Sequence, residues 1–328
     1  MMKVIKQNFL GRLKTIFDMM IWIAILVGGI LLMAFSSDKA IEHSVILTNA
    51  LGISPLLIGL VFVSLGTDLP EIVNSIISGA LRHGDINAGD SIGSVLTQIT
   101  LVFGLLPLLG RAFKVKRKEI LVIGGCEVLS LMLVFSIVEK GYISRINALF
   151  LVGSWPIYVL ITRTLTKRDI KRSIDASQMF RNKKYHISIA MLGFIGVAVG
   201  AYAMVQSTIM LSAALKIPEY FISFFLLSIG TSLPELAVDL TAIRKKEYEI
   251  AVGDIIGSCI VDASLSIGIG QVFFPQAVSG ELASTTILYT IFASFTVISI
   301  LALRERMDKK AGIIFIILYL LSYITLAV

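Results

Sequence analysis

Charge is what this sequence has least of. Asp, Glu, Lys and Arg make up 16% of its 328 residues, where about 25% is usual in a soluble domain. The hydrophobic share is 56% and the mean hydropathy +0.89. Too few polar groups remain to cover a water-exposed surface, which excludes a cytosolic enzyme, a nucleic-acid binder and a disordered scaffold. A net charge of +7 could suggest a polyanionic partner, but most of the cations lie between apolar runs, where they orient a membrane protein. Cysteine is nearly absent: Cys126 and Cys259 both sit in apolar stretches, with no disulfide framework and no CxxC spacing. His43, His83 and His186 are far apart, which argues against a His-based zinc or haem site. No resident cofactor is expected.

Long apolar runs are abundant. A bilayer core of about 30 Å needs about 20 apolar residues in a helix. Runs of that kind fall near 17–36, 45–81, 86–110, 119–138, 143–162, 187–213, 218–243, 250–273, 283–303 and 311–328. The first follows Lys3, Lys6, Arg12 and Lys14 as a signal peptide would, but it is long enough to span and no small-residue cleavage site follows it. The expectation is an all-α integral membrane protein of ten helices. Loops after the odd-numbered spans carry 21 of the 29 Lys and Arg residues. That bias places them, and the polar connection 163–186, in the cytoplasm, with both termini outside. At roughly 20 residues this connection is too short for a folded regulatory domain of about 50 residues or more.

The chain repeats itself. Residues 61–104 align without a gap to 225–268, with 14 of 44 positions identical at an offset of 164, half the length. Apolar composition alone would match Leu with Ile; it would not match Gly66-Thr67, Leu69-Pro70-Glu71 with Gly230-Thr231, Leu233-Pro234-Glu235, nor Gly89-Asp90 and Gly93-Ser94 with Gly253-Asp254 and Gly257-Ser258. Residues 1–162 and 187–328 would each hold five spans. An odd number inserts the second half in the opposite sense, so the halves become inverted repeats, the architecture of secondary transporters with a site at the repeat interface.

The repeated residues suit a cation. Pro70 and Pro234 each remove a backbone N–H, and carbonyls freed around Ser64–Gly66 and Ser228–Gly230 would need a partner in a dry setting. Thr67 and Glu71, Ser94 and Gln98, Thr231 and Glu235, and Ser258 and Asp262 are spaced i, i+4, which puts each pair on one helix face. Carboxylates, hydroxyls, an amide and carbonyls are hard oxygen ligands of the kind Ca²⁺ and alkali ions prefer. Proline can instead be a kink, glycine close packing, and Ser or Thr a bond to its own helix. A mid-span glutamate in the same context twice has no such structural explanation, because intramembrane acids are costly and by default functional. Several acids without a nearby cation repel each other, so the cage is expected to be filled by metal ions or protons at every stage. Asp90 and Asp254 flank the glycines and could equally cap helix termini.

The paired GTxLPE and GxxxGS motifs resemble the two α-repeats of the Ca²⁺/cation antiporter superfamily, in particular its prokaryotic sodium/calcium exchanger branch. The resemblance implies Na⁺ for Ca²⁺ exchange by alternating access in a prokaryotic plasma membrane, with four ion sites in a diamond and spans one and six sliding across the rest. By the same resemblance Glu71 and Glu235 would coordinate calcium, with Thr67 and Thr231 beside them contributing carbonyl oxygens. Ser94, Ser232 and Ser258 would line sodium sites, together with the carbonyls of Ser64 and Ser228, and Asp262 would fall where relatives carry Asp or Asn. The chain departs from the pattern at Asp68 (usually Ser), Gln98 (usually Asn), Asp90 and Asp254 (usually Asn) and Asp239 (usually small). Extra acids would change the charge carried per cycle, or hold a proton.

The sequence therefore predicts a secondary-active antiporter, not an enzyme, whose partners are the transported cations and the bilayer. The alternatives are an H⁺-coupled or non-calcium divalent exchanger of the same fold, a passive cation channel, and an intramembrane hydrolase. The last is disfavoured because the two glutamates lie among ion-ligand residues rather than beside a nucleophile.

Overall fold

A computed structural model describes residues 17–36, Lys39, 58–165 and 183–326. The cationic N-terminal segment, the start of the run at 45–81, His43 and most of the connection 163–186 lie outside the described residues. Within them the chain is almost wholly helical, and eight helices are long and apolar enough to cross a membrane. Their ends fall close to the expected runs: Gly84–Leu109, Arg117–Val138, Arg145–Leu165, Glu219–Arg244, Tyr248–Phe273 and Gly280–Arg304. The helix Lys183–Leu215 starts four residues before the expected 187.

Burial separates a centre from a periphery. In Phe17–Ser36 only 22% of the apolar window is buried, against 89% in Tyr248–Phe273 and 78% in Gly84–Leu109. The outer helices turn Phe17, Phe150, Phe295 and Leu303 outward, as a lipid-facing surface requires. The two central helices carry the second motif of each repeat and are surrounded by protein.

Each GTxLPE segment breaks its helix. Asp68 and Ser232 leave helical geometry at φ −77°, ψ 5° and φ −83°, ψ 6°. Pro70 and Pro234 then sit in the first turn of the helices Leu69–Ala80 and Leu233–Arg244, where a missing N–H costs nothing. Both helices end in the same cap. Arg82 and Lys246 take left-handed φ of 68° and 66°, and the N–H groups of His83 and Glu247 donate to the carbonyls of Ser78 and Ala242, each at 2.9 Å. That is the Schellman arrangement. Wider π-helical turns occupy Ile58–Val63, Thr97–Val102, Ser223–Leu227 and Asp262–Ser266; such turns concentrate at functional sites.

Glycine sets how closely these helices approach. A Cβ on Gly93 would lie 2.3 Å from the Phe224 carbonyl oxygen, and one on Gly257 would lie 2.9 Å from that of Leu60. The two crossings are related by the 164-residue offset. A third crossing brings Phe17–Ser36 against Lys183–Leu215, where Gly29 and Gly200 each meet the other's carbonyl oxygen.

Short ladders and polar contacts tie the loops. β1 (Phe113–Lys114) pairs antiparallel with β4 (Arg306–Met307), and β2 (Tyr142–Ile143) with β3 (Gln276–Ala277). Lys116 contacts Glu249, His83 Nδ1 lies 2.8 Å from Glu219, and Asp85 accepts from the Ser279 N–H at 2.5 Å. Asp308 accepts the Ala311 N–H at 3.0 Å, an N-cap bond that holds this half-buried carboxyl below its usual range.

Gly93→Ala should lower the melting temperature of the detergent-purified protein, because overpacking against backbone costs about 1–3 kcal/mol. Gly125→Ala, which meets nothing within 4 Å, should leave it unchanged or slightly raised. Differential scanning fluorimetry of the two variants checks this.

Candidate cation site

Two helix breaks and two central helices meet in one buried cage. Glu71 and Asp68 stand at the first break, and Glu235 and Ser232 at the second; Ser94 with Gln98 and Ser258 with Asp262 come from the central helices. Every one of these side chains, together with Thr67, Thr231, Ser64 and Ser228, is at most 3% exposed. Ligand oxygens of Asp68, Glu71 and Glu235 all lie within 4.8 Å of one another. That is about twice the 2.3–2.6 Å Ca²⁺–oxygen distance, so one such ion fits between them.

The hydroxyls stitch the halves together. Thr67 Oγ1 is 3.4 Å from Ser258 Oγ, and its counterpart Thr231 Oγ1 is 3.3 Å from Ser94 Oγ. Ser64 and Ser228 donate back to the carbonyls of Leu60 and Phe224 at 2.6 and 2.5 Å, and Thr97 Oγ1 is 3.3 Å from Ser228 Oγ. Gln98 Nε2 donates to Asp262 Oδ2 at 3.1 Å. The longer glutamine thus reaches across to the acid of the other repeat.

The carboxylates are left without donors. Neither oxygen of Asp68, Glu71 or Glu235 accepts a hydrogen bond, nor does Asp262 Oδ1. No Lys or Arg is among the buried described residues. Two bare carboxylates at the 4.8 Å outer limit of this spacing repel by about 3.5 kcal/mol at an effective dielectric of about 20. A cation between them removes that cost and supplies the missing partner.

One part of the sequence reading is corrected. The Ser64 and Ser228 carbonyls are not orphaned: they accept the N–H groups of Asp68 and Ser232 at 2.9 and 3.1 Å. Proline deletes the bond to the residue four back, which is Gly66 or Gly230, whereas Asp68 and Ser232 keep their N–H. Each serine carbonyl retains only its remaining lone-pair capacity for an ion.

Two polar residues went unforeseen. Asn74 donates to Asp90 Oδ2 at 2.5 Å, and Thr231 Oγ1 lies 3.3 Å from Asp90 Oδ1; Asp90 is therefore a satisfied interior residue and not a terminal cap. Glu127, buried in Arg117–Val138, accepts from Ser294 at 2.7 Å. Glu127 in the middle of the run 119–138 and Asn74 within 45–81 were the available signals.

Glu71→Gln and Glu235→Gln should each be more stable than the parent in cation-free buffer, because repulsion is relieved. Each should also show a smaller Ca²⁺-dependent rise in melting temperature than the parent, where filling the cage at 100 times Kd contributes about 2.7 kcal/mol. Fluorimetry with and without Ca²⁺ reads both effects.

The family model described as sodium/calcium exchanger protein matches residues 21–163 and again 185–328. The chain is 30% identical over 274 residues to the inner membrane protein YrbG of Escherichia coli, covering 78% of this chain and 81% of that one. It is 24% identical to the sodium/calcium exchanger MaX1 of Methanosarcina acetivorans, covering 92% and 97%. Among solved structures, the sodium-calcium exchanger NCX_Mj soaked with Na⁺ and Sr²⁺ superposes with a TM-score of 0.65 at 25% identity, over 94% of this chain and 99% of that one. A multi-pass membrane protein with this cage at its centre, the chain belongs to the sodium/calcium exchanger protein family.

Proposed function

We propose that this protein exchanges Na⁺ for Ca²⁺, or for a similar divalent cation, by alternating access around the cage of Glu71, Glu235, Asp68 and Asp262. Thr67, Thr231, Ser94, Ser232, Ser258 and Gln98, with the carbonyls of Ser64 and Ser228, shape flanking sites for the counter-ion. The observation that carries this reading is the convergence of Asp68, Glu71 and Glu235 within 4.8 Å with no hydrogen-bond donor. The ions are cargo, and the reading requires no resident cofactor.

Ten spans in two inverted halves, 1–162 and 187–328, joined by a cytoplasmic 163–186, complete the proposal. The loop contacts support that count. β1–β4 joins the loops after the third and ninth spans, and Lys116–Glu249 joins those after the third and seventh. His83–Glu219 and Asp85–Ser279 join the loop after the second with those after the sixth and eighth. Every pairing links loops of equal parity, as loops on one side of a membrane must be. The cation-rich set is the odd one, which by the positive-inside rule faces the cytoplasm of a plasma membrane and leaves the termini outside.

Alternation then requires the peripheral pair Phe17–Ser36 and Lys183–Leu215 to move against the central helices. Their crossing through Gly29 and Gly200 favours movement as one body. Ile30 of this pair packs on Gly230 of the second motif, which couples such movement to the cage.

Proteoliposomes loaded with Na⁺ and diluted into Na⁺-free medium should accumulate radioactive Ca²⁺, and Glu71→Gln should abolish this. Uptake driven only by a proton gradient, or only of another divalent ion, would replace the coupling ion or the substrate while keeping the fold and cage.

A further inference from the structure

The pseudo-symmetry of the cage fails at one place. In the first repeat, one turn outward from Glu71 and Ser94, lie Ser75 and Asp90. Both are satisfied: Ser75 Oγ accepts the Gly270 N–H at 3.0 Å, and Asp90 accepts from Asn74 at 2.5 Å. The corresponding residues of the second repeat are Asp239 and Asp254, one turn, or about 6 Å, from Glu235 and Ser258. They are fully buried and adjoin each other, and none of their four oxygens has a hydrogen-bond partner. The position equivalent to Asn74 is Val238, which cannot supply one. Thr67 lies beside Asp254, but its hydroxyl also points to the carbonyls of Val63 and Ser64, each at 3.3 Å.

A further buried acid, from the other repeat, adjoins this pair. Asp68 is 0% exposed, has Ser258, Glu235 and Asp254 as its polar neighbours, and has no hydrogen-bond partner on either oxygen. Charge counting leads to the same place. Asp68, Glu71, Glu235, Asp239, Asp254 and Asp262 are six buried carboxylates, and one divalent ion neutralises two of them.

We propose that Asp239 and Asp254, with Asp68 as a shared wall, form a second divalent-cation site displaced from the central cage toward the Arg244–Tyr248 connection. Three carboxylates are hard, anionic ligands suited to an ion of the Ca²⁺ class. Because Asp68 is shared with the central cage, an ion held at Asp239 and Asp254 is a staging point between that cage and the side bearing the β1–β4 ladder. The corresponding place in the other half has no such step.

This inference rests on the central cage being a cation site, and the test separates the two claims. Isothermal titration of the detergent-purified full chain with Ca²⁺ in Na⁺-free buffer should give two ions per chain. The double variant Asp239→Asn/Asp254→Asn should bind one, and Glu71→Gln should also bind one, at the remaining site. The Glu71→Gln count keeps the test open should the double variant not fold. One ion in the parent and none in Glu71→Gln would overturn the second site while keeping the first. Two ions retained in a monodisperse double variant would also overturn it. No binding in the parent would overturn both readings.

Discussion

Buried carboxylates without a fixed counter-charge are the constraint on which this molecule depends. A soluble protein would pair Glu71 and Glu235 with arginine or expose them. Here the surrounding helices exclude water and supply no buried Lys or Arg among the described residues. The charge must be met by something that arrives and leaves. On the proposed function this property is what an exchanger needs: with the cage costly when empty, the states that alternate would be those in which an ion is bound.

Everything around the cage serves to bring these acids together and keep them dry. The proline breaks point Glu71 and Glu235 inward from the first turn of short helices. The glycine crossings at Gly93 and Gly257 let the central helices approach backbone to backbone, which places Ser94 and Ser258 within reach of the opposite threonine. Small residues make this packing possible in a bilayer, where no hydrophobic force draws helices together. The outer helices contribute apolar surface, and the Gly29–Gly200 crossing holds Phe17–Ser36 close against Lys183–Leu215.

The twofold occurrence of the motif made the site legible in the sequence. A single Glu71 in an apolar run indicates function; a second in the same context, with the same Thr and Pro, indicates that the two meet. The spacing of Ser94 with Gln98 and of Ser258 with Asp262 correctly marked the inward faces of the central helices. Local chemistry beyond the motif was less legible. Nothing in the sequence says that Asn74 reaches across to Asp90, because that bond depends on how two helices of one repeat lie against each other. The reading of freed carbonyls around Ser64–Gly66 and Ser228–Gly230 was too broad, because the prolines remove only the bonds to Gly66 and Gly230 while Ser64 and Ser228 keep theirs. Asp239 was visible only as an acid out of place; its relation to Asp254 and Asp68 required three-dimensional packing.

The central claim is that the cage does not cross the membrane empty. Vesicles loaded with radioactive Ca²⁺ and diluted into medium free of Na⁺ and Ca²⁺ at alkaline pH test it directly. The account predicts efflux no faster than from protein-free vesicles until Na⁺ or Ca²⁺ is added outside, when it should accelerate at once. Rapid efflux into the ion-free medium would contradict it, because the bare carboxylates would then return unaccompanied or the path would be an open channel.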